Sequence, residues 1–152
     1  MKSRSPIDVT AAVVARNGRI LLARRPPGDR LEGKWEFPGG KIDPGESAET
    51  CLQRELFEEF GSRSSIGHFL GESVHRYDHL TVRLLVFEAN LIDDRIHLNA
   101  HSEFRWVPLV GLTEFELAPA DIPVAQNLVE GRWPLASGEA RPATKRKEGP
   151  GS

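Results

Sequence analysis

The sequence predicts a single mixed α+β domain. Three observations carry that prediction. Runs rich in apolar and β-branched residues recur in hairpin-like clusters. Only two stretches, around 47–60 and 121–129, have the spacing and end signals of helices. The chain has 152 residues, the length of one domain with a sizeable core.

The elements follow in order. Ile7 to Ala15 is apolar and β-rich, and Asn17-Gly18 separates it from the strand Arg19–Ala23, a strong two-residue hairpin signal. Arg24 to Lys34 holds two prolines and two glycines and reads as a loop. Trp35–Phe37 is a short strand ended by Pro38-Gly39-Gly40. The helix from Ser47 to Phe60 has Ser47 as N-cap and Gly61 in the C′ position. Two longer strands are expected at Ile66–Arg76 and His79–Leu91, and a shorter one at Glu103–Val107. Asp121 is placed to cap a last helix through Val129, with Pro123 in its first turn and Gly131 beyond its end. Phe69, Phe87 and Trp106 are assigned to the core.

Composition excludes several classes of function. Twenty Lys+Arg against 22 Asp+Glu give a net charge of −2, so neither a stable nucleic-acid complex nor binding to an anionic membrane is expected. One cysteine cannot form an internal disulfide or a thiolate metal cage. No run approaches the roughly 20 apolar residues of a membrane span. These features suggest a cytoplasmic protein. Beyond about residue 135 the only hydrophobic residues are alanines amid Gly, Pro, Ser and charge, so the expected organisation is a domain over 5–134 and a disordered tail over 135–152. The Lys145-Arg146-Lys147 run reads as a solvated terminus, with a docking patch as the alternative.

The first helix breaks its own amphipathic pattern. At about 100° per residue, Ala48, Leu52, Leu56 and Phe60 form one apolar stripe. Glu55 and Glu59 fall in or beside it, and Glu58 lies at its edge. Like charges at this spacing repel, so something cationic belongs there. Two partners remain open: Arg54, one residue back, or a hard divalent cation, since Mg²⁺ takes oxygen ligands from a few carboxylates plus substrate phosphates. Gly39-Gly40 ahead of the helix permits close backbone approach to a ligand, and Glu46 stands at the helix entrance.

The stretch GGKIDPGESAETCLQRELFEEFG resembles the Nudix box, G-x5-E-x7-R-E-U-x-E-E-x-G-U with U aliphatic. Gly40, Glu46, Arg54, Glu55, Leu56, Glu58, Glu59 and Gly61 match it, whereas Ser62 occupies the last aliphatic position. LLARRPP, WEFPGGK, FRWVPLVGL and LAPADIPVAQNL extend the likeness to the MutT-like branch, including members that hydrolyse cytidine triphosphate. The resemblance implies a Nudix fold, an α-β-α sandwich around a mixed β-sheet. It further implies Mg²⁺, or Mn²⁺, with Gly39, Glu55, Glu58 and Glu59 as metal ligands, Arg54 orienting the carboxylates and Glu46 supporting the edge. Glu55, Arg54, Glu58, Glu59 and Glu46 would form the catalytic set, with water attacking the β-phosphorus of a nucleoside triphosphate to leave monophosphate and pyrophosphate. Relatives of this branch carry a glutamate where this chain has Ala100; His101, Glu103 or Glu55 could take over its work.

By the same likeness Arg25, Phe37 and Asp121 lie near the base, with Tyr77, Asp78 and His79 lining the pocket. An ionised Asp121 only accepts hydrogen bonds and suits an exocyclic amine such as cytosine N4; protonated, it also donates. The expected substrates are small nucleotides, modified or surplus, such as 8-oxo-dGTP or CTP and dCTP derivatives, handled by a monomer or homodimer in nucleotide-pool sanitation. Other nucleoside diphosphate-X substrates, such as ADP-ribose or dinucleoside polyphosphates, and a non-catalytic nucleotide-binding domain are the alternatives.

Overall fold

Residues 6–136 are described by a computed structural model of the chain. Strand β1 (Ile7–Arg16) turns through Asn17 and Gly18, both at positive φ, into β2 (Arg19–Arg24). After β3 (Trp35–Glu36) comes helix α1 (Ala48–Phe60), then β4 (Ser64–Arg76), β5 (Thr81–Leu91), β6 (Glu103–Pro108) and, after two short 3₁₀ turns, α2 (Ile122–Val129). The sheet runs β3-β2-β1-β5-β4, with β6 also paired to β2. β1 and β5 are parallel, whereas the other pairs are antiparallel, so the sheet is mixed.

Period-two alternation along β1 divides the core into two layers. Ala11, Val13 and Ala15 face one side, where Ile20, Leu22, Trp35 and Phe37 join Val124, Ala125 and Leu128 of α2. Ala12 and Val14 face the other, packed with Leu52, Leu56 and Phe60 of α1. The sheet thus lies between two helices, as expected of an α-β-α sandwich. The α1 ends follow their local chemistry: Ser47 accepts from the Thr50 amide, and Gly61 adopts a left-handed φ of 70° and donates to the Phe57 carbonyl.

Three expectations change. Asp121 does not cap α2 with its side chain, which is buried and turned toward β3. Phe69 is 54% exposed, because register shifts on both sides of it in the β4–β5 ladder turn its ring outward. The boundary at 134 also moves: Leu135 is buried in the core, and the Ala136 amide donates to Glu88 Oε1 at 2.8 Å. The rest of the expected tail, including Lys145-Arg146-Lys147, lies outside the described residues.

Candidate active site

The site is built where α1 passes the glycine turn on β1. Residues 38–42 run antiparallel to β1: the Ala12 amide donates to the Pro38 carbonyl, Thr10 to Gly40, and Asp8 accepts from Ile42. Both glycines are there because nothing larger fits. A Cβ on Gly39 would lie 2.1 Å from the Thr10 carbonyl oxygen. One on Gly40 would lie 2.2 Å from the Glu55 carboxyl carbon. The Glu55 carboxylate therefore occupies the space that Gly40 leaves open.

Arg54 gathers most of the acids. Its Nε and Nη2 donate to both Glu46 oxygens at 2.7 and 3.0 Å, and its Nη1 donates to Glu55 at 3.0 Å and Glu58 at 3.2 Å. This fork holds the Glu46 carboxyl down at about 2. The guanidinium is raised by the same bonds. Glu58 meets Arg54 beside Glu55 but stays largely in solvent and does not line the groove that Glu55 and Glu59 share.

Glu59 stands apart. Among the described residues no ion pair reaches it, it is 8% exposed, and its buried Oε1 has no hydrogen-bond partner. Burial, reinforced by the nearby Glu36 and Glu55 carboxyls, pushes it up to about 10, although the Gly39 amide acts in the opposite direction. Of the two cations left open by the sequence, Arg54 thus serves Glu46, Glu55 and Glu58, and Glu59 is left without one.

A groove of about 380 Å³ opens over Gly39, Gly40, Glu55, Glu59, Ala100 and His101. Among the described residues no three acidic, histidine or cysteine side chains form a ready-made cage. The donors present are nonetheless hard oxygens: Glu55, Glu59 with its unsatisfied Oε1, and the adjacent glycine backbone. Such a partial set fits Mg²⁺ or Mn²⁺, which complete their shell with water and substrate phosphate.

The second cavity, about 240 Å³, adjoins the groove, and Arg25, Glu36 and Asp121 line both. Its walls are mostly apolar, with Val9, Leu84 and Ala120 beside Tyr77 and His79. Asp121 Oδ2 accepts from the Phe37 amide at 2.8 Å, while the Phe37 ring is a core residue. Complete burial raises the Asp121 carboxyl well above its usual range, and the charge of Glu36 adds to this. Arg25 is already engaged: it is bidentate to Asp29 at 2.7 and 2.9 Å and donates to Glu36 at 2.8 Å.

Sequence reasoning missed Glu36 and Asp29 and underrated His101. Glu36 bridges Arg25 and the nearly buried His101, whose Nε2 lies 2.8 Å from Glu36 Oε2. His101 also stacks on Phe60 at 5.9 Å, and so fills the space beside Ala100. A signal for Glu36 was present. Trp35 and Phe37 flank it in a strand, so if they face the core it must face the opposite side.

The pattern of the NUDIX domain matches residues 5–128. The CTP pyrophosphohydrolase of Escherichia coli K12 is 33% identical over 137 residues, covering 90% of this chain and 97% of its own length. The 8-oxo-dGTP diphosphatase of the same organism is 29% identical over 112 residues, 74% of this chain and 87% of its own. Among solved structures, the Escherichia coli ORF135 protein aligns with TM-score 0.72 at 33% identity, over 90% of this chain and 94% of its own. The MutT protein of Methanosarcina mazei Go1 aligns with TM-score 0.77 at 27% identity, over 86% and 99%. With Gly40, Glu55 and Glu59 of the box lining one groove and this likeness along nearly the whole described chain, the protein belongs to the Nudix hydrolase family, in its MutT-like branch.

Proposed function

We propose that the chain is a Mg²⁺-dependent nucleoside triphosphate pyrophosphohydrolase. It converts CTP-type or oxidised-guanine triphosphates, modified or surplus, to monophosphate and pyrophosphate. The observation that carries this reading is Glu59: a buried acid with an unpartnered oxygen, beside Glu55 and the glycine turn, in a groove continuous with an apolar pocket. One compartment suits metal-bound phosphates and the other a base.

The geometry supports a role for each residue. Glu55, Glu59 and the Gly39 carbonyl would hold the metal, which neutralises phosphate charge and acidifies water when bound. Arg54 holds Glu55 at the groove and Glu58 at its edge while Glu46 anchors Arg54, so Glu58 serves through a water or a phosphate. Glu55, lying over Gly40, is the acid best placed to orient a nucleophilic water. Arg25 keeps a fixed positive charge between phosphate and base while Asp29 and Glu36 hold it in place.

Asp121 sets the base. Protonated, it offers a donor beside an acceptor, complementary to the N3 and N4 edge of cytosine and to the O6 and N7 edge of 8-oxoguanine. Likeness to the CTP pyrophosphohydrolase over 90% of the chain favours cytosine first. The test is a turnover screen of purified protein with Mg²⁺ over canonical, 5-modified and oxidised triphosphates, with products identified. Turnover of cytidine triphosphates with pyrophosphate release supports the reading, and turnover of ADP-ribose alone would defeat it.

A further inference from the structure

Thr10 is the one hydroxyl in the buried run 10–15 of β1, otherwise Ala and Val. It is 1% exposed at the floor of the groove, and Cys51 behind it is fully buried. Their hydrogen bonds converge on the glycine turn, apart from that of Arg54 Nη2 to Cys51 Sγ at 3.8 Å. The Gly40 carbonyl already accepts the Thr10 amide at 2.7 Å. It also accepts the Thr10 hydroxyl at 3.0 Å, with Cys51 Sγ at 3.5 Å. Cys51 Sγ lies 3.5 Å from that hydroxyl and 3.4 Å from the Lys41 carbonyl. The Gly40 amide in turn approaches the hydroxyl oxygen at 3.4 Å.

This arrangement fixes the direction of a neighbouring group. The Pro38 and Gly40 carbonyls both accept from β1 amides. Along an extended segment successive carbonyls point to opposite sides, so that of Gly39 is directed away from β1. The Gly39 amide, on the same side, meets the Glu59 carboxyl. Rotating the Gly39–Gly40 peptide would swing the Gly40 amide off the Thr10 hydroxyl oxygen, which the Gly40 carbonyl and Cys51 Sγ hold in place. An amide turned away from its acceptor without a replacement is costly, so the Thr10 hydroxyl resists that rotation.

We infer that Thr10, backed by Cys51, is a positioning residue that holds the Gly39 carbonyl toward Glu55 and Glu59 and so sets the metal affinity of the groove. This rests on the metal-dependent reading above. The chemistry is that of a hard divalent cation.

The experiment is Mn²⁺ binding to the full chain without nucleotide, followed by the electron paramagnetic resonance signal of free Mn²⁺. The variants are Thr10→Val, which keeps the shape and removes the hydroxyl, Thr10→Ser, which keeps the hydroxyl, and Cys51→Ala. One net hydrogen bond corresponds to roughly a 2- to 12-fold loss of Mn²⁺ affinity in Thr10→Val. Thr10→Ser should restore it and Cys51→Ala should show a smaller loss. Binding of cytidine monophosphate in EDTA should be the same in all of them. Wild-type Mn²⁺ affinity in folded Thr10→Val overturns the inference. If that variant does not fold, wild-type affinity in Cys51→Ala overturns it instead. Absence of Mn²⁺ binding by the unmodified chain would count against the metal-dependent function itself, so the two failures are distinguishable.

Discussion

Two adjacent glycines should fail in different ways when each is replaced by alanine. In Gly40→Ala the new methyl lies 2.2 Å from the Glu55 carboxyl carbon, and ordinary contact begins at 3.4 Å. The carboxylate must therefore retreat by about 1.2 Å. It is the free end of a side chain beside an open groove, so the fold should lose less than about 1 kcal/mol. A displacement of that size at a reacting group costs on the order of 100-fold in rate. In Gly39→Ala the methyl meets the Thr10 carbonyl oxygen at 2.1 Å, and this backbone is fixed in β1. Overpacking there should destabilise by about 1–3 kcal/mol, or roughly 3–12 °C in melting temperature. The assay pairs thermal melts with initial rates of pyrophosphate release from CTP in Mg²⁺. Near-wild-type kcat in Gly40→Ala, or equal destabilisation of the two variants, would refute the assignment of Glu55 to the space over Gly40.

Other consequences can be checked the same way. Glu59 is raised by burial to about 10, so the stability linked to its neutral form is complete below the unfolded value of 4.5 and declines as pH rises toward 10. In EDTA, Glu59→Gln should match the wild type near pH 4.5 and exceed it by roughly 3 kcal/mol at pH 7, while losing Mg²⁺-dependent turnover. Denaturant titrations at the two pH values check the sign, and a destabilised Gln variant at pH 7 contradicts it. Asp121→Asn keeps both an acceptor for the Phe37 amide and a donor, so it should fold normally with KM within a few-fold. Asp121→Ala strands that amide and should cost about 1–3 kcal/mol in a melt, with a raised KM. Arg54→Lys loses the two-pronged hold on Glu46, and kcat should fall more than 10-fold with little change in KM.

The sequence made some parts of this molecule legible and others not, for physical reasons. Local chemistry is written locally: Asn17-Gly18 forces the hairpin, and Ser47 and Gly61 delimit α1. The misplaced acids at 55 and 59 already signalled a site, because a simple core-facing helix does not carry charge in its apolar stripe. Pairings across the fold were hidden. Asp121 reads as a cap because it precedes a helix, and only the approach of β3 turns it to the Phe37 amide, 84 residues away. Glu36 and His101 meet across 65 residues, and Thr10 and Cys51 across 41. Periodicity gives each residue a face but not the partner on that face. Phe69 was misjudged for a related reason, since a register shift in β4 changes which side a residue occupies.

Glu59 bears most directly on the central claim that a buried acid, without a cation among the described residues, makes this groove a pyrophosphohydrolase site. The decisive measurement is product analysis of CTP turnover in Mg²⁺ by the unmodified chain and by Glu59→Gln. The expected result is cytidine monophosphate and pyrophosphate from the first, and a rate lower by orders of magnitude from the second with the fold intact. Equal rates from both, or diphosphate and inorganic phosphate as products, would contradict it.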